Sequence, residues 1–95
     1  MKATIQDKIL TIALPYECLI SNVEADTDKI RPLISRELKK IEVQSEAVEE
    51  ADTAYLQLLL SLKATADHQK VLLSVSGISP ELERVCGLYG VMLDV

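Results

Sequence analysis

The stretch that decides the fold is Asp52-Thr53-Ala54-Tyr55-Leu56-Gln57-Leu58-Leu59-Leu60. Asp52 has the side chain of a good helix N-cap, because its carboxylate can accept hydrogen bonds from the N–H groups of Ala54 or Tyr55. Aliphatic residues follow at helical spacing as far as Ala66. The sequence therefore predicts a helix that begins at Thr53, directly after its cap.

The two sides of this predicted helix differ in chemistry. At about 100° per residue, one face is polar and carries Thr53, Gln57, Ser61, Ala64 and His68. The opposite face is apolar and carries Leu59, Leu62 and Ala66, with Leu58 and Tyr55 beside them. We expect Leu56 and Leu60 on the shoulder between the faces, where they would extend an interface. From spacing alone, Thr53 either heads a protein-binding face or merely begins a helix.

Short apolar runs bounded by turn residues predict strands on both sides of this helix. They cover residues 3–5, 9–14, 41–48, 71–75 and 91–93, with a polar interruption at 49–52. Residues 6–8 form the predicted turn between the first two strands.

A later helix has clear boundary signals. Ser79 is a suitable N-cap, Pro80 fits the first helical position and Glu81 favours the positive helix end. Four residues at helical spacing form its predicted apolar face: Leu82, Val85, Cys86 and Tyr89. Gly90 can end the helix in the left-handed conformation.

The start of the first helix is ambiguous. Residues 21–24, Ser-Asn-Val-Glu, have the spacing of a capping box. Pro32 instead favours a start near Asp26 or Asp28, since proline is tolerated in a first turn and damaging in a helix interior. We prefer the later start, which would give an apolar stripe of Ile30, Leu33, Ile34 and Leu38.

The predicted order of elements is β-β-α-β-α-β-α-β. Strands that alternate with helices indicate an α/β fold, with a mixed, mainly parallel sheet covered by helices. The 95 residues, 48% of them hydrophobic, suffice for one domain over residues 1–95 and not for two.

Composition excludes several classes of function. A formal net charge of −5 disfavours nucleic acids and anionic membrane surfaces as partners. The chain contains no apolar run long enough to span a bilayer and no apolar signal core at residues 1–10. Cys18 and Cys86 lack the spacing of a zinc site. We expect a cytoplasmic monomer with both thiols reduced.

No catalytic set is evident in the sequence. His68 is the single histidine, and its place at a predicted helix end favours a solvated side chain. The phosphate-binding patterns GxGxxG and GxxxxGK[ST] are both missing from the sequence. Glu46, Glu49, Glu50 and Asp52 are more typical of a solvated face, or of a surface for a basic partner, than of paired catalytic carboxylates. We expect neither enzymatic activity nor a cofactor.

The segment around Asp52 resembles the signature of the STAS domain, found in sulfate transporters and anti-sigma factor antagonists. That signature is a strand, Asp-Ser or Asp-Thr, a small residue, Gly, and Leu followed by an aliphatic helix. Here residues 51–56 are Ala-Asp-Thr-Ala-Tyr-Leu, followed by Gln-Leu-Leu-Leu. The strand at 70–73, the turn at 77–82 and the helix end at 88–90 also match. The resemblance extends from residue 41 to the C-terminus and rests on element order before that.

The resemblance implies a phosphorylation site. In this family a partner kinase, which is also the anti-sigma factor, modifies the hydroxyl residue that follows the Asp. That role falls on Thr53 with Asp52 as its neighbour, and the implied partner surface comprises Asp52, Thr53, Leu56, Gln57, Leu60 and Ser61. Tyr55 replaces the usual Gly, which we expect to reshape the partner surface, and Gln44 lies where the preceding strand often has Asp.

A second implication stays open beside the first. A short chain with Asp-Thr at this site is similar to the STAS subunit of bacterial phospholipid-transport ABC systems, of the toluene-tolerance type, which binds the ATPase subunit. The partner is then an ABC transporter ATPase instead of an anti-sigma kinase or another ATP-binding regulatory protein.

Overall fold

The computed structural model describes residues 1–90 and shows a four-stranded sheet with three α-helices. The strands are β1 (Lys2–Gln6), β2 (Ile9–Ala13), β3 (Glu17–Cys18), β4 (Lys40–Gln44), β5 (Glu50–Ala51) and β6 (Leu72–Ser76). The helices are α1 (Ile20–Ile30), α2 (Thr53–His68) and α3 (Pro80–Leu88). The predicted α/β fold is confirmed, and the strand predicted at 91–93 lies outside the described residues.

The main sheet has the order β1-β2-β4-β6. β1 runs antiparallel to β2, whereas β2, β4 and β6 are parallel to one another. Equivalent rows of the register are apolar: Leu10, Ile41 and Leu73 form one row, and Ile12, Val43 and Val75 form the next. Successive side chains of a strand alternate between the two faces of the sheet, so the two rows lie on the same face. They pack into a single core with the apolar face of α2.

The β1–β2 connection is a tight two-residue turn. Asp7 and Lys8 both have positive φ values, of 54° and 64°, although neither is glycine. The Lys8 carbonyl accepts a hydrogen bond from the Lys39 N–H at 2.7 Å. The turn is thereby tied to the segment that leads into β4.

The predicted strand 41–48 is shorter in the structure and ends at Gln44. The residues predicted as a polar interruption contain β5, which pairs in parallel with β3. The Glu49 and Glu50 N–H groups both donate to the Tyr16 carbonyl, at 2.9 and 3.2 Å. This small second sheet leads the chain directly into α2.

The preferred start of the first helix is wrong. α1 begins at Ile20 and ends at Ile30, so the structure agrees with the earlier of the two alternatives. Pro32 lies in a 3-10 helix, Arg31–Leu33, that follows α1. Without an N–H group, proline cannot continue the α-helical hydrogen-bond ladder, and here it lies in the first turn of the 3-10 helix directly after α1. Leu38 is still buried, but it packs from a loop.

The boundary signals of the later helices are confirmed. The Ser79 hydroxyl accepts from the Leu82 N–H at 3.1 Å, and Gly90 has a φ of +63°. Leu82, Val85 and Cys86 are buried as predicted. The prediction that Tyr89 belongs to the buried face is wrong. α3 ends at Leu88, one residue before Tyr89, and Tyr89 is 55% exposed.

No helix within residues 1–90 is both long enough and apolar enough to cross a membrane.

Candidate functional site

The predicted N-cap of α2 is present. One carboxylate oxygen of Asp52, Oδ1, accepts a hydrogen bond from the Tyr55 N–H at 3.0 Å. The Asp52 N–H donates to the Cys18 carbonyl at 3.1 Å, so the pairing of β3 with β5 continues into the cap. Asp52 is thus fixed on both its backbone and its side chain before the helix begins.

The same carboxylate also caps a second helix. Oδ2 of Asp52 accepts from the Ile20 N–H at 2.7 Å, and Ile20 is the first residue of α1. The residue at the N-cap position of α1 is Leu19, which has no side-chain cap to offer. The starts of α1 and α2 therefore lie side by side around one negative charge.

Thr53 is exposed at the first position of α2. Its hydroxyl lies 2.8 Å from the Tyr89 hydroxyl, at the end of α3. Helical spacing predicts Tyr89 on the apolar face of α3, so the sequence did not indicate its contact with Thr53. Its position directly before Gly90, where the helix was predicted to end, was the available signal that the periodicity stops there.

The structure divides the predicted partner surface. Gln57 and Ser61 are exposed on the same helix as Thr53, and Leu60 is half-buried. Leu56 is only 3% exposed and packs in the core, so its assignment to a partner surface is wrong. Leu56 belongs to the one buried cluster that also contains residues of α1, α3 and the main sheet.

Tyr55 does not reshape the surface, contrary to expectation. Its ring is fully buried, and its hydroxyl donates to the Asp26 carboxylate at 2.5 Å. Burial and the hydrogen bond to Asp26 raise the pKa of the Tyr55 phenol. Burial, with the nearby Asp26 charge, also raises the pKa of Cys18 to about 12. Where the family usually has Gly, this chain has a side chain that holds α1 against α2 from inside.

Comparisons with known proteins show the family and the fold. The family model described as "Mlab, STAS domain" matches residues 1–92. This chain belongs to the STAS domain family. The NMR structure of the protein TM1081 superposes with a TM-score of 0.76 at 17% identity, covering 93% of this chain and 71% of that chain. The structural match shows a shared fold. No curated protein shows significant sequence similarity to this chain.

Membership in the STAS family supports a general role as a regulatory or interaction module, since STAS domains are generally non-catalytic. In this STAS domain the residues of the family signature, Asp52 and Thr53, lie where three helix ends meet. Gln44, at the family position that often carries Asp, is the last residue of β4 and is half-buried.

The surroundings of the STAS signature are acidic. Glu17 and Glu50 are neighbours in the pairing of β3 with β5, and both are exposed. Glu49 lies beside the Tyr16 hydroxyl, and its hydrogen bond and charge raise the pKa of that phenol. Glu46 is also exposed, two residues after the end of β4. A partner that approaches Thr53 therefore meets a concentration of negative charge.

The single histidine of the sequence lies far from Thr53. His68 is exposed at the far end of α2, a helix of 16 residues that is about 24 Å long. Across residues 1–90, no three His, Cys, Asp or Glu side chains are grouped so that they could hold a metal ion. The geometry presents an exposed hydroxyl on Thr53 that is hydrogen-bonded to Tyr89.

Proposed function

We propose that this STAS domain is a non-enzymatic anti-sigma factor antagonist, switched by phosphorylation of Thr53 by its partner kinase. The observation that carries the proposal is the position of the Thr53 hydroxyl. It is exposed at the first residue of α2, directly after the capping Asp52. A kinase can reach such a hydroxyl without unfolding the helix.

A phosphate on Thr53 would add about −1.5 to −2 charges at neutral pH. The fold should tolerate it, because a helix N-terminus offers N–H donors and the positive end of the helix dipole. Asp52, Glu49 and Glu50 oppose it by repulsion between like charges. A partner surface packed over Thr53 and Gln57 would tolerate it poorly, because the new charge would lose its water without gaining a counter-ion.

The remaining parts of the proposal follow from the same surface and from composition. We place the domain in the cytoplasm as a monomer that binds protein and not nucleic acid. The partner is an ATP-binding anti-sigma kinase, which contacts Asp52, Thr53, Gln57, Leu60 and Ser61.

The test compares wild type, Thr53→Ala and Thr53→Glu for thermal stability and for affinity to a candidate partner ATPase identified from the neighbouring genes. Thr4→Glu is a matched control, since Thr4 is also exposed but lies on the edge strand β1. We expect Thr53→Glu to lose binding while it stays folded, and Thr4→Glu to bind like wild type. Mass spectrometry after incubation with the kinase and ATP should locate a phosphate on Thr53.

A second candidate function is that of an accessory subunit bound to the ATPase of a phospholipid-transport ABC system. The description of the matching family model, "Mlab, STAS domain", and the Asp52-Thr53 pair favour it. This function requires constant binding. If Thr53→Glu binds as tightly as wild type and no kinase labels Thr53, the phospho-switch is wrong and this candidate replaces it. Permease genes beside the ATPase gene would agree with that result.

A further inference from the structure

Large apolar side chains are exposed around the start of α2. Ile20, Leu88 and Tyr89 are 70%, 67% and 55% exposed. Two contacts bring the start of α1 and the end of α3 close to Thr53. The Ile20 N–H donates to the Asp52 carboxylate, and the Tyr89 and Thr53 hydroxyls form a hydrogen bond. Half of the strongly exposed large apolar residues of the described chain (Ile5, Tyr16, Ile20, Leu72, Leu88 and Tyr89) thus come from elements that meet at one place. Exposed apolar side chains that cluster in this way are typical of an interaction surface, whereas single scattered ones are common on any protein.

The charge around these side chains has one sign. The segments that build this end of the molecule are residues 16–22, 46–57 and 85–90. They contain five acidic residues and neither Lys nor Arg. Glu17, Glu49 and Glu50 are exposed beside the small β3–β5 sheet. An apolar centre with an acidic rim is complementary to an apolar side chain flanked by basic residues.

We propose that Ile20, Leu88 and Tyr89 form one composite docking surface with Thr53, and that it fits a partner protein presenting an apolar side chain surrounded by Lys and Arg. This inference rests on the proposed function and extends the contact from α2 to the ends of α1 and α3. The partner contacts three helix ends at once instead of one helix face.

The Thr53–Tyr89 contact links this surface to the switch. The two hydroxyl oxygens are 2.8 Å apart, so they are in direct hydrogen-bond contact. A phosphate on Thr53 replaces the hydroxyl hydrogen and adds a bulky anion at this contact, so we expect it to shift the Tyr89 side chain of the docking surface. One modification changes both the charge and the shape that the partner meets.

The experiment uses calorimetry to measure affinity for the same purified candidate ATPase. Leu88→Ala is compared with Leu72→Ala, since Leu72 is equally exposed at 65% but lies on β6. We expect Leu88→Ala to weaken binding about tenfold or more, as for a central apolar contact, and Leu72→Ala to leave it unchanged. Glu50→Lys should weaken binding, whereas Glu37→Lys, an exposed residue of the loop before β4, should not.

The outcomes separate the two proposals. Equal affinities for Leu88→Ala and Leu72→Ala, with Thr53→Glu still unable to bind, would overturn the composite surface and leave the proposed function intact. Failure of the wild type to bind the ATPase would reject both. Circular dichroism of each variant checks its folding, and a folded Leu88→Ala protein with wild-type affinity is sufficient to overturn the inference.

Discussion

The carboxylate of Asp52 accepts a hydrogen bond at 2.7 Å from the backbone N–H of Ile20, which lies 32 residues earlier in the sequence. This bond joins the first turns of α1 and α2. The other oxygen of the same carboxylate caps α2 through Tyr55. A residue of the family signature is therefore a structural junction, apart from any role beside a phosphorylated hydroxyl.

Replacement of Asp52 should destabilise the domain more than loss of an ordinary cap. Asp52→Ala leaves two helix N–H groups without an acceptor, so we expect the free energy of unfolding to fall by about 1–3 kcal/mol. Asp52→Asn keeps only one acceptor oxygen, so its free energy of unfolding should lie between those of Asp52→Ala and wild type. Urea denaturation measures this, and Ser79→Ala, which removes the single cap of α3, is the control. A smaller loss for Asp52→Ala than for Ser79→Ala would contradict the double cap.

The two faces of α2 should differ sharply in their contribution to stability. Leu59 is 5% exposed within the core, so Leu59→Ala should cost about 2–5 kcal/mol through lost methyl groups and a cavity. Gln57 is exposed, and Gln57→Ala should change stability by about 0.5 kcal/mol or less. Denaturant melts of both variants give the comparison, and similar losses would mean that the helix is rotated differently about its axis.

The buried pair of Tyr55 and Asp26 should be energetically coupled. Tyr55→Phe removes the hydroxyl that donates to Asp26 and leaves a buried carboxylate without that donor. We expect a loss of about 1–3 kcal/mol. Adding Asp26→Leu to Tyr55→Phe removes the unpaired group as well, so the second substitution should cost less there than in the wild-type background. Additive losses in a double-mutant cycle would show that the pair contributes no coupling.

Stability should decline at alkaline pH. Burial, with the Asp26 charge, raises the pKa of Cys18 from 9.0 to about 12, so the folded state keeps its proton where the unfolded chain has lost it. The stabilisation is complete below about pH 9 and is lost as pH rises towards 12. Tyr55, whose pKa is also raised, acts in the same direction. Urea melts from about pH 8 to pH 10.5 should show a steeper decline for wild type than for Cys18→Ala, and identical slopes would count against a buried, neutral thiol.

Local signals explain which parts of the fold could be predicted. α2 and α3 each carry their own capping side chain, Asp52 and Ser79, within three residues of the N–H group that they bind. The start of α1 has no such signal, since its cap comes from Asp52, far along the chain. Pro32 favoured a helix start near Asp26 or Asp28, close to the residue at which α1 ends in the structure.

The candidate site was predictable only along α2. The spacing correctly placed Thr53, Gln57 and Ser61 on an exposed face. It could not show that Leu56 is buried or that Tyr89 reaches Thr53, because both depend on tertiary packing and not on spacing within α2. The prediction that Tyr55 reshapes the partner surface was wrong for the same reason. Its hydroxyl bonds Asp26, which belongs to another helix.

The turn at Asp7 and Lys8 offers a practical means of studying the other sites. A two-residue hairpin with positive φ at both positions is best served by Asn-Gly, and a lysine side chain is strained there. The turn precedes β2, at the opposite end of the parallel strands from the start of α2. An Asp7→Asn, Lys8→Gly background keeps the Lys8 carbonyl that holds Lys39 and relieves that strain. It would provide a reserve of stability in which weakened Asp52 or Tyr55 variants stay folded long enough for their binding to be measured.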